Sequence, residues 1–128
     1  HDALKRRCIY HWIDYPTLER EHLVVTLKVP ATPPALAWQI VTLVHGLRET
    51  ELYKLPGVAE TLDWAEALVA LGARELNLEL VERTLGFLLK YQDDFEAVRR
   101  GQRLGDLVQQ VHTESLDRAL RAPEVSFD

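Results

Sequence analysis

The chain has little of what staples or anchors a protein from outside its own core. It carries one cysteine, Cys8, in 128 residues, so no internal disulfide can form and a reducing, cytoplasmic setting is expected. No apolar run approaches the roughly 20 residues that cross a bilayer, and no basic stretch leads into an apolar one as a secretory signal would. No membrane partner is therefore expected. Cations are outnumbered, 15 against 20 acidic residues for a net charge of −5. Nucleic-acid binding needs the opposite balance, so it too is not expected; the one local exception is Lys5-Arg6-Arg7. Methionine is absent and the first residue is His1, from which a fragment or a processed product is expected.

Several catalytic signatures are also missing. The 6 glycines are scattered, and no GxxxxGK[ST] loop is formed, so the chain alone lacks a phosphate cradle. There is no HExxH, no CxxC and no second cysteine, so no metal is expected. His45 and Glu49 lie at i, i+4 on one helix face, but two ligands are too few for a metal, and a surface hydrogen bond or no interaction at all is the expected outcome. Asp93, Asp94 and Glu96 diverge around a helix rather than converge, so a solvated face is expected there. Cys8 and His11 fall on opposite faces of a strand, which leaves Cys8 as a buried structural residue. Trp12, Trp38 and Trp64 read as core or interface packing.

What is present is an ordinary globular mix, 47% apolar and 27% charged, in one domain's length. Cys8–Ile13 is β-branched and aromatic and reads as a strand whose sheet is not obvious in the remaining sequence. Thr17 to Val29 is ambiguous. Pro16, Glu19 and Glu21 suit a helix start, yet Leu23, Val25, Leu27 and Val29 alternate as in a strand. Thr32-Pro33-Pro34 opens a helix that should run to about Leu52, with Leu36, Ile40, Leu43, Val44 and Leu47 on one face. Tyr53 to Gly57 is a loop. Val58, Leu62, Ala65 and Val69 mark the next helix, ended by Gly72. Asn77 caps another, with Val81, Leu85, Leu88, Phe95 and Val98 as its stripe and Gly101 as its stop. Leu104, Leu107, Val108 and Val111 define a last helix reaching about Leu120. The tail from Arg121 to Asp128 reads as irregular.

Two places carry possible chemistry. Arg6-Arg7 stands directly before the strand, and a guanidinium fork matches phosphate geometry; a solvated helix end is the plainer alternative. The junction from Lys54 to Thr61 brings a loop to a helix N-terminus, which can face an anion, or is simply a Pro-Gly connection.

The run from Ala3 to Pro16 resembles the end of the AAA+ module in MoxR-family ATPases. The segment from Tyr53 to Ala65 resembles the matching part of their helical lid, particularly in the branch associated with carbon monoxide dehydrogenase maturation. Ala67 to Ala73 and Leu85 to Tyr91 continue the likeness, which covers roughly residues 2–100. The resemblance implies a mainly α fold, an antiparallel helical bundle with one N-terminal strand that belongs to an α/β core elsewhere in the parent. Residues 1–14 would end that core, 15–100 would form the lid, and 101–128 would be a C-terminal helix and tail. It makes Thr17–Val29 a helix. It implies that Arg7, with Arg6 beside it, is an arginine finger acting in trans on ATP held by the neighbouring subunit. It places Lys54 and Thr61 in the sensor-2 neighbourhood, where Glu60-Thr61-Leu62 offers no arginine. ATP and Mg would be bound by the parent alone, this chain being no enzyme by itself. The expected partners are neighbouring subunits of a ring, hexameric by resemblance, and a protein with a von Willebrand factor A domain. The parent would remodel a client or help to mature a metal centre. The alternative from the amphipathic stripes is a free-standing helical interaction module with no nucleotide role.

Overall fold

The computed structural model describes residues 15–121. The segment before Tyr15, including the expected strand at Cys8–Ile13 and the arginines Arg6 and Arg7, lies outside the described residues, as does the tail after Arg121. Among the described residues the architecture is a bundle of six α-helices with no strand.

Helix α1 spans Leu18–Lys28. Thr17 caps it, its hydroxyl accepting from the Arg20 N–H at 3.2 Å, and Glu19 and Glu21 sit in the first turn with Lys28 in the last, as the helix dipole favours. The alternating apolar pattern of this segment thus resolves as two i, i+4 pairs on different faces. Val25 and Val29 are buried, whereas Leu23 and Leu27 are 54% and 69% exposed. A strand would have put all four on one side.

Helix α2, Pro34–Arg48, is the central element. Leu36, Ala37, Gln39, Ile40, Val41, Leu43, Val44, Leu47 and Arg48 are all buried, too many for one stripe, so neighbours cover it on several sides. It ends at Arg48 rather than near Leu52, because both the N–H and the hydroxyl of Thr50 turn back to Leu47 O. Leu52 is buried from the loop instead.

Helix α3, Val58–Ala70, packs on α1 and α2. Gly72 follows with φ +74°, the left-handed stop that its position just past the helix called for. Helix α4, Leu78–Thr84, is capped by the Asn77 side chain, which accepts from Leu80 N at 2.8 Å.

The single helix expected from Asn77 to Gly101 is in fact two. A 3₁₀ turn at Leu85–Phe87 follows α4, and α5 begins only at Gln92, ending at Arg99. The break lets the adjacent residues Leu88 and Leu89 both be buried, which successive positions on one straight helix, about 100° apart, do poorly. It also re-aims α5 so that Asp94 points inward. After a second 3₁₀ turn at Arg100–Gln102 comes α6, Arg103–Arg121. It lies along α2 and adds Leu104, Val108 and Val111 to the same core. The approach is close at Gly46, where an added Cβ would stand 2.6 Å from Leu107 Cδ2. No helix of the described residues is long and apolar enough to cross a membrane.

Candidate functional site

The inward stripe of α1 carries a carboxylate among valines. Glu21 is fully buried and faces the last turn of α2, where His45 and Arg48 lie one turn apart. Arg48 grips it with both terminal nitrogens, Nη1 to Oε1 at 2.6 Å and Nη2 to Oε2 at 2.9 Å. His45 Nε2 donates to Oε1 at 2.9 Å. Burial pushes the Glu21 carboxyl up, but hydrogen bonds from His45, Arg48 and Thr61, with the Arg48 charge, outweigh it and hold the group at about 2. The third Arg48 nitrogen, Nε, donates to Pro56 O at 2.8 Å, and the guanidinium lies 4.4 Å from the centroid of the Tyr15 ring.

Below this network the loop into α3 is held at successive points. Asp94 on α5 is buried and its two oxygens accept the N–H groups of Tyr53 and Lys54 at 2.7 and 3.1 Å. Arg48 holds Pro56. The Glu60 carboxylate reaches back to the Gly57 N–H at 2.8 Å, putting a negative charge at the positive end of α3.

The four residues singled out from the sequence are distributed as follows. Arg6 and Arg7 lie outside the described residues. Lys54 is exposed in the loop, with its backbone fixed by Asp94. Thr61 is fully buried, and its hydroxyl stands 3.1 Å from Gly57 O as well as serving Glu21. The junction thus offers one exposed cation and one internal hydroxyl rather than a shared ligand surface. The Gly57 N–H is met by the Glu60 carboxylate, whose charge stands beside the start of α3.

Three other residues read from the sequence stand as follows. His45 does not pair with Glu49; it turns across to Glu21, and Glu49 lines an open groove of about 480 Å³ between α1, α2 and α6 with Thr42, Arg103, Gln110 and Glu114. Asp94 is no solvated acid but the loop's anchor. Trp38, half buried, packs against the edge of the core, within the expected core or interface role, and lies in a sandwich. The His22 ring stacks on it at 3.6 Å and the Arg118 guanidinium lies 3.7 Å from its centroid. Two groups that close to one ring cannot share a face, so the indole is clasped between α1 and α6. His22 Nε2 is buried there without a hydrogen-bond partner. Trp64, by contrast, is fully buried and donates to Thr84 Oγ1 at 2.8 Å.

Sequence reasoning missed Glu21 as a buried group, and Arg48 altogether. The available signal was a charge sitting in an apolar stripe: Glu21 lies four residues before Val25, and Arg48 four after Val44. Among the described residues no group of three or more His, Cys, Asp or Glu side chains could hold a metal ion. No protein-family model matches this chain, and no curated protein or solved structure is detectably similar to it.

Proposed function

We propose that residues 15–100 act as the helical lid of a MoxR-like AAA+ ATPase whose parent couples ATP binding and hydrolysis to remodelling of a client or to metal-centre maturation in the cytoplasm. The observation that carries the reading is the helix at Leu18–Lys28. Alternation left that segment open between strand and helix, and the family resemblance required a helix there. The order that follows, a long helix, a Leu-Pro-Gly loop and a third helix opening at Val58, is the order the resemblance implies.

On this reading the nucleotide belongs to the parent's own core. At the junction the Glu60 carboxylate takes the Gly57 N–H and sets a negative charge beside the start of α3, and Thr61 is internal. Lys54 is the side chain left facing outward, and its role would be to approach bound ATP from the lid. Arg7, with Arg6 as its neighbour, would act in trans on the adjacent subunit of a hexameric ring, where a guanidinium stabilises charge on the transferring phosphoryl group. A von Willebrand factor A domain protein would be the partner.

The deciding experiment compares ATP hydrolysis by the parent polypeptide with that of its Arg7→Ala variant at equal oligomeric state. The expected result is a fall of about 10³-fold or more with nucleotide binding retained. An unchanged rate refutes the finger. A second reading, a helical interaction module, has its own observation: Leu23 and Leu27 on α1 and Leu116 and Leu120 on α6 are exposed i, i+4 pairs. A phosphate-binding loop roughly one α/β domain upstream of His1 in the gene decides against it.

A further inference from the structure

Arg48 touches three separate pieces of chain at once. Its two terminal nitrogens hold Glu21 of α1 at 2.6 and 2.9 Å. Its Nε holds Pro56 O, in the loop that opens α3, at 2.8 Å. Its face lies 4.4 Å from the Tyr15 ring, at the point where the described chain enters the bundle. The side chain is almost wholly buried.

A guanidinium is planar, with its donors in a fixed fork. Edge and face are therefore not independent: a partner that tilts the plane misaligns the bonds made by its edge. Neutralising Glu21 needs only a cation beside its oxygens, and His45 already meets one of them. The contacts to Pro56 O and Tyr15 go beyond that need, and they lie on different segments.

We infer that Arg48 is a positioning residue that couples the entry segment at Tyr15 to the loop 53–57, so that the two move as one body. The use of this coupling rests on the lid reading, in which Tyr15 follows the nucleotide core and the loop carries Lys54 towards the nucleotide. Lid rotation at the entry would then reach Lys54 through Arg48. The coupling itself belongs to this chain and is measured without nucleotide.

The test is hydrogen exchange by mass spectrometry on the full chain, in wild type, Arg48→Lys, Tyr15→Leu and the double variant. Lysine keeps a cation beside Glu21 but has one nitrogen and no plane. Peptides covering 53–60 are expected to exchange about tenfold faster in each single variant, while peptides from the middle of α2 keep wild-type protection in Tyr15→Leu. In the double variant Tyr15→Leu should add nothing further, because its route to the loop is already cut. Wild-type exchange at 53–60 in Tyr15→Leu overturns the inference. So does an undiminished Tyr15→Leu effect in the Arg48→Lys background, which would mean a route that bypasses Arg48. Should Arg48→Lys fail to fold, Arg48→Gln takes its place in the same cycle, and wild-type exchange at 53–60 in Tyr15→Leu overturns the inference in either case. ATP hydrolysis by the parent carrying Tyr15→Leu addresses the lid reading separately: coupling lost with hydrolysis unchanged counts against that reading and leaves the positioning role intact.

Discussion

Replacing Glu21 by glutamine removes one charge and almost no volume, and it should be among the most costly conservative changes in the bundle. The magnitude follows from the carboxyl's shift from 4.5 to about 2. At neutral pH such a shift corresponds to about 3 kcal/mol of preference for the ionised form in the folded state. That is a large part of the roughly 5–15 kcal/mol that holds a domain together. The sign is fixed by the direction. A carboxyl whose folded pKa is depressed contributes fully above 4.5 and loses the contribution as pH falls towards 2, so about 1 kcal/mol should be left at pH 3. Glutamine has no such dependence. Urea unfolding followed by helical circular dichroism should therefore show Glu21→Gln less stable by about 3 kcal/mol at pH 7, the gap closing on acidification. The same destabilisation at pH 7 and pH 3 would refute the electrostatic account and leave only a packing defect. Removing Arg48 alone strands the buried carboxylate and should cost at least as much, whereas replacing Glu21 and Arg48 together by leucine and methionine should recover most of the loss.

Asp94→Asn keeps one acceptor but turns an amide N–H₂ towards the second of the Tyr53 and Lys54 N–H groups; a loss of about 2 kcal/mol is expected in thermal unfolding, with faster amide exchange at those two positions. Gly72→Ala should cost about 1 kcal/mol, because its φ of +74° penalises any Cβ although the surrounding space is open; no loss in urea unfolding would show that the turn relaxes. His22 should titrate below 6.5 by NMR, because burial, and then the nearby Arg118 charge, disfavour its protonated form. Its contribution to stability is thus full above 6.5 and declines as pH falls through that value. Arg118→Ala should raise the midpoint only in part, since burial, the larger cause, remains.

How much of this was legible in advance differs from element to element. The start of α4 was marked by Asn77 and the stop of α3 by Gly72, because caps and stops are local chemistry read within one turn; α2 starts one residue later than Thr32-Pro33 suggested, with Pro33 at the cap and the Thr32 hydroxyl turned back to Val29 O. The stripe of α6 was equally plain. The segment at Leu18–Lys28 was not, since Leu23, Val25, Leu27 and Val29 fit both a period of two and two staggered helical pairs. Only the presence of α2 on one side, covering Val25 and Val29 and leaving Leu23 and Leu27 outside, selects between them. The break at Leu88–Tyr91 was hidden because the apolar spacing there continues through it.

Of the candidate site, the sequence by itself determined the Leu-Pro-Gly junction, the missing phosphate loop and the helical start of α3. Tertiary structure alone decided that Glu21 meets Arg48 across 27 positions and that Asp94 meets Tyr53 across 41. The reason is physical. A charge on an amphipathic helix reads as solvated unless its partner is known, and that partner is set by how helices pack, which no local period records.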